Sequence, residues 1–247
     1  MMYLAAQYLA AAGISFLEKK ADDSHTNLAF VTGNASLNSR PLNKEGDILS
    51  LDYEHFTLKW NGKTANKGIK LDGSTHRQIL NWIKDQAGKT SLEQPYNYKF
   101  HYDLPYNIEE YFTFKLLNAN RLNELTQLRI LGQLALEKFL DAENLKSEIR
   151  VWPHHFDTGI YAIDLQNNSI AIGAGMAIPD TVLDEHYFYL SVYKDHKAIP
   201  TENLAPLSIG KWHNEGFVGA VLPAKDATVQ TALTFYREAL ESLNNNS

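Results

Sequence analysis

Arg150-Val151-Trp152-Pro153-His154-His155-Phe156-Asp157, followed by Thr158-Gly159-Ile160-Tyr161, is the stretch that organises this chain. An earlier segment echoes it: Ser24-His25-Thr26-Asn27 leads into Leu28-Ala29-Phe30-Val31. About thirty residues beyond each comes a second tag, Leu51-Asp52-Tyr53-Glu54-His55-Phe56 in the first half and Leu183-Asp184-Glu185-His186-Tyr187 in the second. The repetition suggests an internal duplication, two similar halves about a pseudo-twofold axis, with polar groups in equivalent places.

Working outward, residues 3–12 have high helix propensity, and Gly13 is expected to stop that helix. Residues 28–31, 48–51 and 56–60 are rich in aliphatic and aromatic side chains and predict strands, with Asn61-Gly62 as hairpin chemistry. Ser74 is the expected N-cap of a helix whose buried stripe is Ile79, Leu80, Trp82 and Ile83, ended by Gly88. Residues 89–107 lack periodicity but hold five aromatics, Tyr96, Tyr98, Phe100, Tyr102 and Tyr106, which suits a segment that packs. Over 118–144, Leu122, Leu125, Leu128, Leu131, Ala135 and Phe139 recur at three- and four-residue steps on one helical face.

The second half repeats the order. Strands are expected over 148–152, 158–163, 169–172, 187–192 and 217–222, with a turn at Asn167-Asn168 and a helix over about 227–243. Runs of strands bounded by helices, instead of strict alternation, predict an α+β fold with mostly antiparallel sheets. The division expected is a first α+β half over 1–95, an aromatic and proline linker over 96–120, and a second half over 121–247, the halves sharing one core.

Bulk composition bounds the function. A chain of 247 residues with 44% hydrophobic and 21% charged residues is ordinary for a globular protein. A net charge of −6 without a Lys/Arg cluster argues against a nucleic-acid surface. There is no apolar run long enough for a membrane helix. The absence of cysteine excludes disulfides, thiolate metal sites and a cysteine nucleophile, and fits a reducing compartment such as the cytoplasm as well as a cysteine-poor periplasm. Ala10-Ala11-Ala12 has the look of an export cleavage site, but no basic residue precedes the apolar part and Gln7 interrupts it, so a packed helix is expected.

In a strand, His155 and Asp157 would share one face and His154 and Phe156 the other; His25 and Asn27 would pair likewise. A carboxylate two residues from a histidine can fix its tautomer and raise its basicity, and the same pair can bind a divalent metal. His155 and Asp157 are therefore the leading catalytic or metal-binding candidates, with His154 beside them. His25, Asn27, His55, Trp152 and His186 are candidates for binding a ligand. Structural hydrogen bonding is the competing reading for each. Phosphate loops, dinucleotide fingerprints, a Gly-x-Ser-x-Gly elbow and a His-Glu-x-x-His zinc helix are all absent.

Trp152-Pro153-His154-His155-Phe156-Asp157 resembles the hallmark of an uncharacterised bacterial family of unknown function. His186-Tyr187-Phe188-Tyr189 is similar to that family's downstream aromatic stretch, and Asp52-Tyr53-Glu54-His55 to its acidic-aromatic-x-x-His element; Ser24-His25-Thr26-Asn27 lacks the tryptophans common there. The resemblance implies a site location and no reaction. Two functions follow as expectations. One is a small-molecule enzyme, hydrolytic or metal-assisted, with His155 as base or ligand and Asp157 orienting it. The other is a non-catalytic module that binds a small polar molecule, and a structural or partner-binding role stays open beside them. The residues name neither a substrate nor an oligomeric state.

Overall fold

A computed structural model describes residues 1–163 and 170–245. The chain is α+β and forms two compact units. One comprises residues 1–127 and 151–154, the other residues 128–150 and 155–247. The aromatic segment 96–120 thus belongs wholly to the first unit, as do Trp152, Pro153 and His154.

The first unit opens with α1 (Met2–Phe16), whose residues from Ala5 to Gly13 are all buried. A helix apolar on every side has to be enclosed, and this one is. Gly13 does not stop it. A Cβ there would lie 2.5 Å from the carbonyl oxygen of His25, so the glycine serves close approach, and the helix runs one turn further. Five strands follow, β1 (Ala29–Val31), β2 (Ser36–Asn38), β3 (Ile48–Asp52), β4 (Thr57–Asn61) and β5 (Asn66–Lys70), paired in sequence order as an antiparallel meander. Asn61-Gly62 lies in the β4–β5 hairpin, as expected. Trp60 is fully buried and its Nε1 donates to Asp47 Oδ2 at 3.0 Å. The next helix, α2 (His76–Ala87), is capped by Thr75, not Ser74; Thr75 and Gln78 form a reciprocal capping box.

The second unit carries most of α3 (Ala119–Ala142), the strands β7 (Thr158–Ile163), β8 (Ile170–Ala177), β9 (Tyr187–Lys194), β10 (Lys197–Ala198), β11 (Lys211–His213) and β12 (Gly219–Pro223), then α4 (Val229–Asn244); of β6 (Arg150–Val151), Arg150 belongs to this unit and Val151 to the first. The sheet order is β11-β12-β9-β8-β7-β6, with β10 paired to β9. Alternation sorts its faces. Ile160, Ile172, Ala174, Met176, Phe188, Leu190 and Val192 point to a core shared with Leu136 and Phe139 of α3 and Phe235, Tyr236 and Leu240 of α4. The opposite face presents Gly159, Gly173, Gly175, Tyr187, Tyr189 and Tyr193. The expected turn at Asn167-Asn168 lies outside the described residues.

Each unit therefore reads helix, antiparallel sheet, helix, but the duplication is not established by this. His55 follows the third strand of its meander, whereas two strands (β7 and β8) separate His155 from His186. The equal spacing in sequence does not translate into equal places in the two sheets.

Candidate functional site

The alternation argument for His155 and Asp157 fails locally. Residues 153–155 form a turn and Phe156 is left-handed (φ 61°), so the chain is extended only from Thr158 onward. His155 is consequently exposed and Asp157 buried, 8% accessible. A bulky residue at positive φ is held there by its surroundings at a cost of about 1–3 kcal/mol. Here Arg129 of α3 does the holding. Its guanidinium donates to the Phe156 carbonyl (3.0 Å) and to Thr158 Oγ1 (2.6 Å), and stacks over the Phe156 ring 4.5 Å from the centroid.

Asp157 Oδ2 accepts a hydrogen bond from the Tyr189 hydroxyl. The reach is made possible by glycine. β9 lies two strand spacings from β7, roughly 9–10 Å, so the ring has to lie flat across β8. A Cβ at Gly175 would stand 2.5 Å from Tyr189 Oη, and one at Gly159 2.7 Å from it. Phe217 closes edge-on against Tyr189, with ring centroids 5.9 Å apart. Two residues along β9, the Tyr187 hydroxyl donates to Asp180 Oδ2 at 2.9 Å.

Asp157 Oδ1 is buried and has no hydrogen-bond partner among the described residues. Burial raises the pKa of this carboxyl group above the usual carboxylate value, against the lowering effects of the Tyr189 bond, the His155 charge and the Arg129 charge. Burial and the same carboxylate push the Tyr189 phenol far up, so Tyr189 is a hydrogen-bond donor and not a proton source. His186 is half-buried just before β9, and its carbonyl accepts the Ala224 N–H at 2.7 Å.

The other candidates lie in the first unit, each with partners of its own. The His154 carbonyl accepts the Tyr3 hydroxyl (2.7 Å), and its ring meets Tyr102 and Trp152 with centroids 5.7 and 6.3 Å away. Gln7 of α1 donates to the Pro153 carbonyl at 2.8 Å, so the Trp-Pro-His backbone is tied to a buried helix. His25 sits in a turn, not a strand; its Nδ1 accepts the Lys20 N–H at 3.4 Å, and its ring stacks on His101. Burial lowers the His25 pKa, which favours a neutral ring. Asn27 Oδ1 accepts from Arg40 Nε at 3.1 Å. His55 hangs from the β3–β4 turn, 65% exposed, with Nδ1 3.0 Å from Asp52 Oδ2. Neither His25 nor His55 has the other among its contacts.

Among the described residues, no three His, Asp or Glu side chains are grouped to hold a metal ion. His155 and Asp157 offer two donors without a third. Also among the described residues, no helix is long and apolar enough to cross a membrane. Comparison with family models, with curated proteins and with solved structures returns no match, so the site stands on its own geometry.

Sequence reasoning missed Arg129, Tyr189 and the glycines. The signals were there: Arg129 is a charge inside the leucine stripe of α3, and Gly173-Ala174-Gly175 places glycines on one face of a strand.

Proposed function

We propose that the second unit handles a small polar molecule at Asp157, with proton transfer to or from that carboxyl group as the chemistry and His155, exposed beside it, as the exchange point with solvent. The observation that carries this reading is the buried Oδ1 without a partner on a carboxyl group whose other oxygen is already held. A polar atom left so is costly, about 1–3 kcal/mol, unless something the protein binds completes it. A carboxyl group pushed upward by burial also suits general acid–base work better than an ordinary carboxylate does. Tyr189 is the positioning residue in this scheme. The resemblance to the uncharacterised family, carried by the six-residue motif and the two looser matches, adds no activity.

A second reading has its own support. Arg129 ties the Phe156 turn together with two bonds, so the same network can serve as a strut. Asp157→Asn separates the two. Under the proposed function the variant is as stable as the parent or more so, because a desolvated carboxylate is gone, yet it loses thermal stabilisation by any small O–H or N–H donor that a screen finds for the parent. A loss of more than about 2 kcal/mol in urea unfolding, with no ligand found for either protein, leaves only the strut.

A further inference from the structure

In the first unit, the end of α1 and the chain around residues 94–101 enclose an open cleft of about 410 Å³, within the size range of small-ligand sites. Its walls are fixed before any ligand arrives. Ser15 Oγ donates to the Asn97 carbonyl (3.1 Å) and accepts the Asn97 N–H (2.9 Å), pinning the loop to the helix. Below it, the Tyr96 hydroxyl donates to the Tyr8 carbonyl at 3.1 Å, and the Phe16 and Tyr96 rings meet at 6.2 Å.

Ile14, Pro95 and Phe100 give the cleft an apolar surface, and the ionisable side chains lining it are Lys99 and His101, with no carboxylate among them. That is the opposite of the chain as a whole, which carries −6. Lys99 makes no ion pair among the described residues. The His101 ring is oriented from three sides: it stacks on buried His25 with centroids 6.0 Å apart, meets Tyr102 edge-on at 5.0 Å, and places Nε2 3.3 Å from Asp23 Oδ2. Lys19 and Lys20 lie in the same loop, and Asp22 precedes Asp23. A competing account is that Lys99 and His101 merely complement the carbonyl end of α1; it predicts effects on stability and none on a ligand.

We infer that this cleft binds a small organic anion, a monocarboxylate with an apolar body, its ring or branched chain against Phe100 and Pro95 and its carboxylate between Lys99 and His101. The site is independent of Asp157. The test uses the full chain and two isosteric probes, 3-phenylpropionate and 3-phenylpropanamide, titrated and followed by amide chemical shifts and calorimetry. Expected are saturable binding of the carboxylate with shifts centred on residues 94–101, at least tenfold weaker binding of the amide, and about a fivefold loss of affinity in Lys99→Gln. No saturation by 10 mM carboxylate, equal binding of the amide, or a Lys99→Gln/His101→Gln variant that is folded and binds unchanged would each overturn the inference.

Discussion

Two buried carboxylates stand beside a His-Phe pair with a left-handed phenylalanine, and they are treated in opposite ways. In the first unit, Phe56 (φ 48°) follows His55, and Asp52 accepts the His55 N–H at 2.9 Å, the His55 ring and the Lys59 ammonium at 2.6 Å. Burial works against the Asp52 charge, but those bonds outweigh it and its pKa is lowered. In the second unit, Phe156 (φ 61°) follows His155, and Asp157 has one oxygen held and one without a partner, with its pKa raised. The same local turn thus yields a finished structural joint in one unit and an incomplete polar site in the other. The difference teaches that function is sought where the hydrogen-bond account fails to close, and not where histidines are most numerous.

The strongest way to break the comparison is Arg129→Met. It removes both bonds to the Phe156 turn and the cation facing Asp157, and we expect a loss of about 3–5 kcal/mol in urea unfolding. A loss below about 1 kcal/mol would mean that the turn holds without the guanidinium. The next test sharpens the contrast through pH. Asp52 is lowered when folded, so its contribution is present above the ordinary carboxylate pKa and disappears as pH falls through the lowered value. Asp157 is raised, so its effect has the other sign: stability declines as pH climbs from the ordinary value toward the raised one. Asp52→Asn should therefore cost about 1–2 kcal/mol at pH 7 and progressively less as pH falls below the ordinary carboxylate value, while Asp157→Asn should flatten the decline above that value. Melting temperatures of both variants between pH 3 and pH 8 check this, and slopes of the same sign would defeat it. The smallest effect belongs to His55→Ala. With its side chain 65% exposed, the ring should be worth no more than about 0.5 kcal/mol, and a larger loss would give His55 a role that its geometry lacks.

Much of the fold was legible in the residues. Periodicity marked α2 and α4, Asn61-Gly62 marked its hairpin, and the aromatic and aliphatic run Tyr187-Phe188-Tyr189-Leu190 marked β9. What failed was the geometry of short segments. Gly13 carries a helix signal that packing overrides, and the two His-x-[Asn/Asp] segments look extended because nothing in a sequence announces that Phe156 adopts positive φ. The site was half legible. Asp157 could be chosen for its neighbour His155, but its working partners come from residues 129 and 189, set by sheet register and helix placement. Spacing along the chain holds no record of either.

The enclosure of α1 has a consequence for how this chain is made. The groups that satisfy its polar atoms come late: Tyr96 bonds the Tyr8 carbonyl across 88 positions, Tyr102 the Gln7 amide across 95, and Gln7 reaches the Pro153 carbonyl across 146. At the pace of translation that leaves a largely apolar helix uncovered for roughly ten seconds or more after it leaves the ribosome. Its yield in cells should accordingly respond to chaperone supply more than its final stability would suggest, which expression at raised and lowered chaperone levels checks.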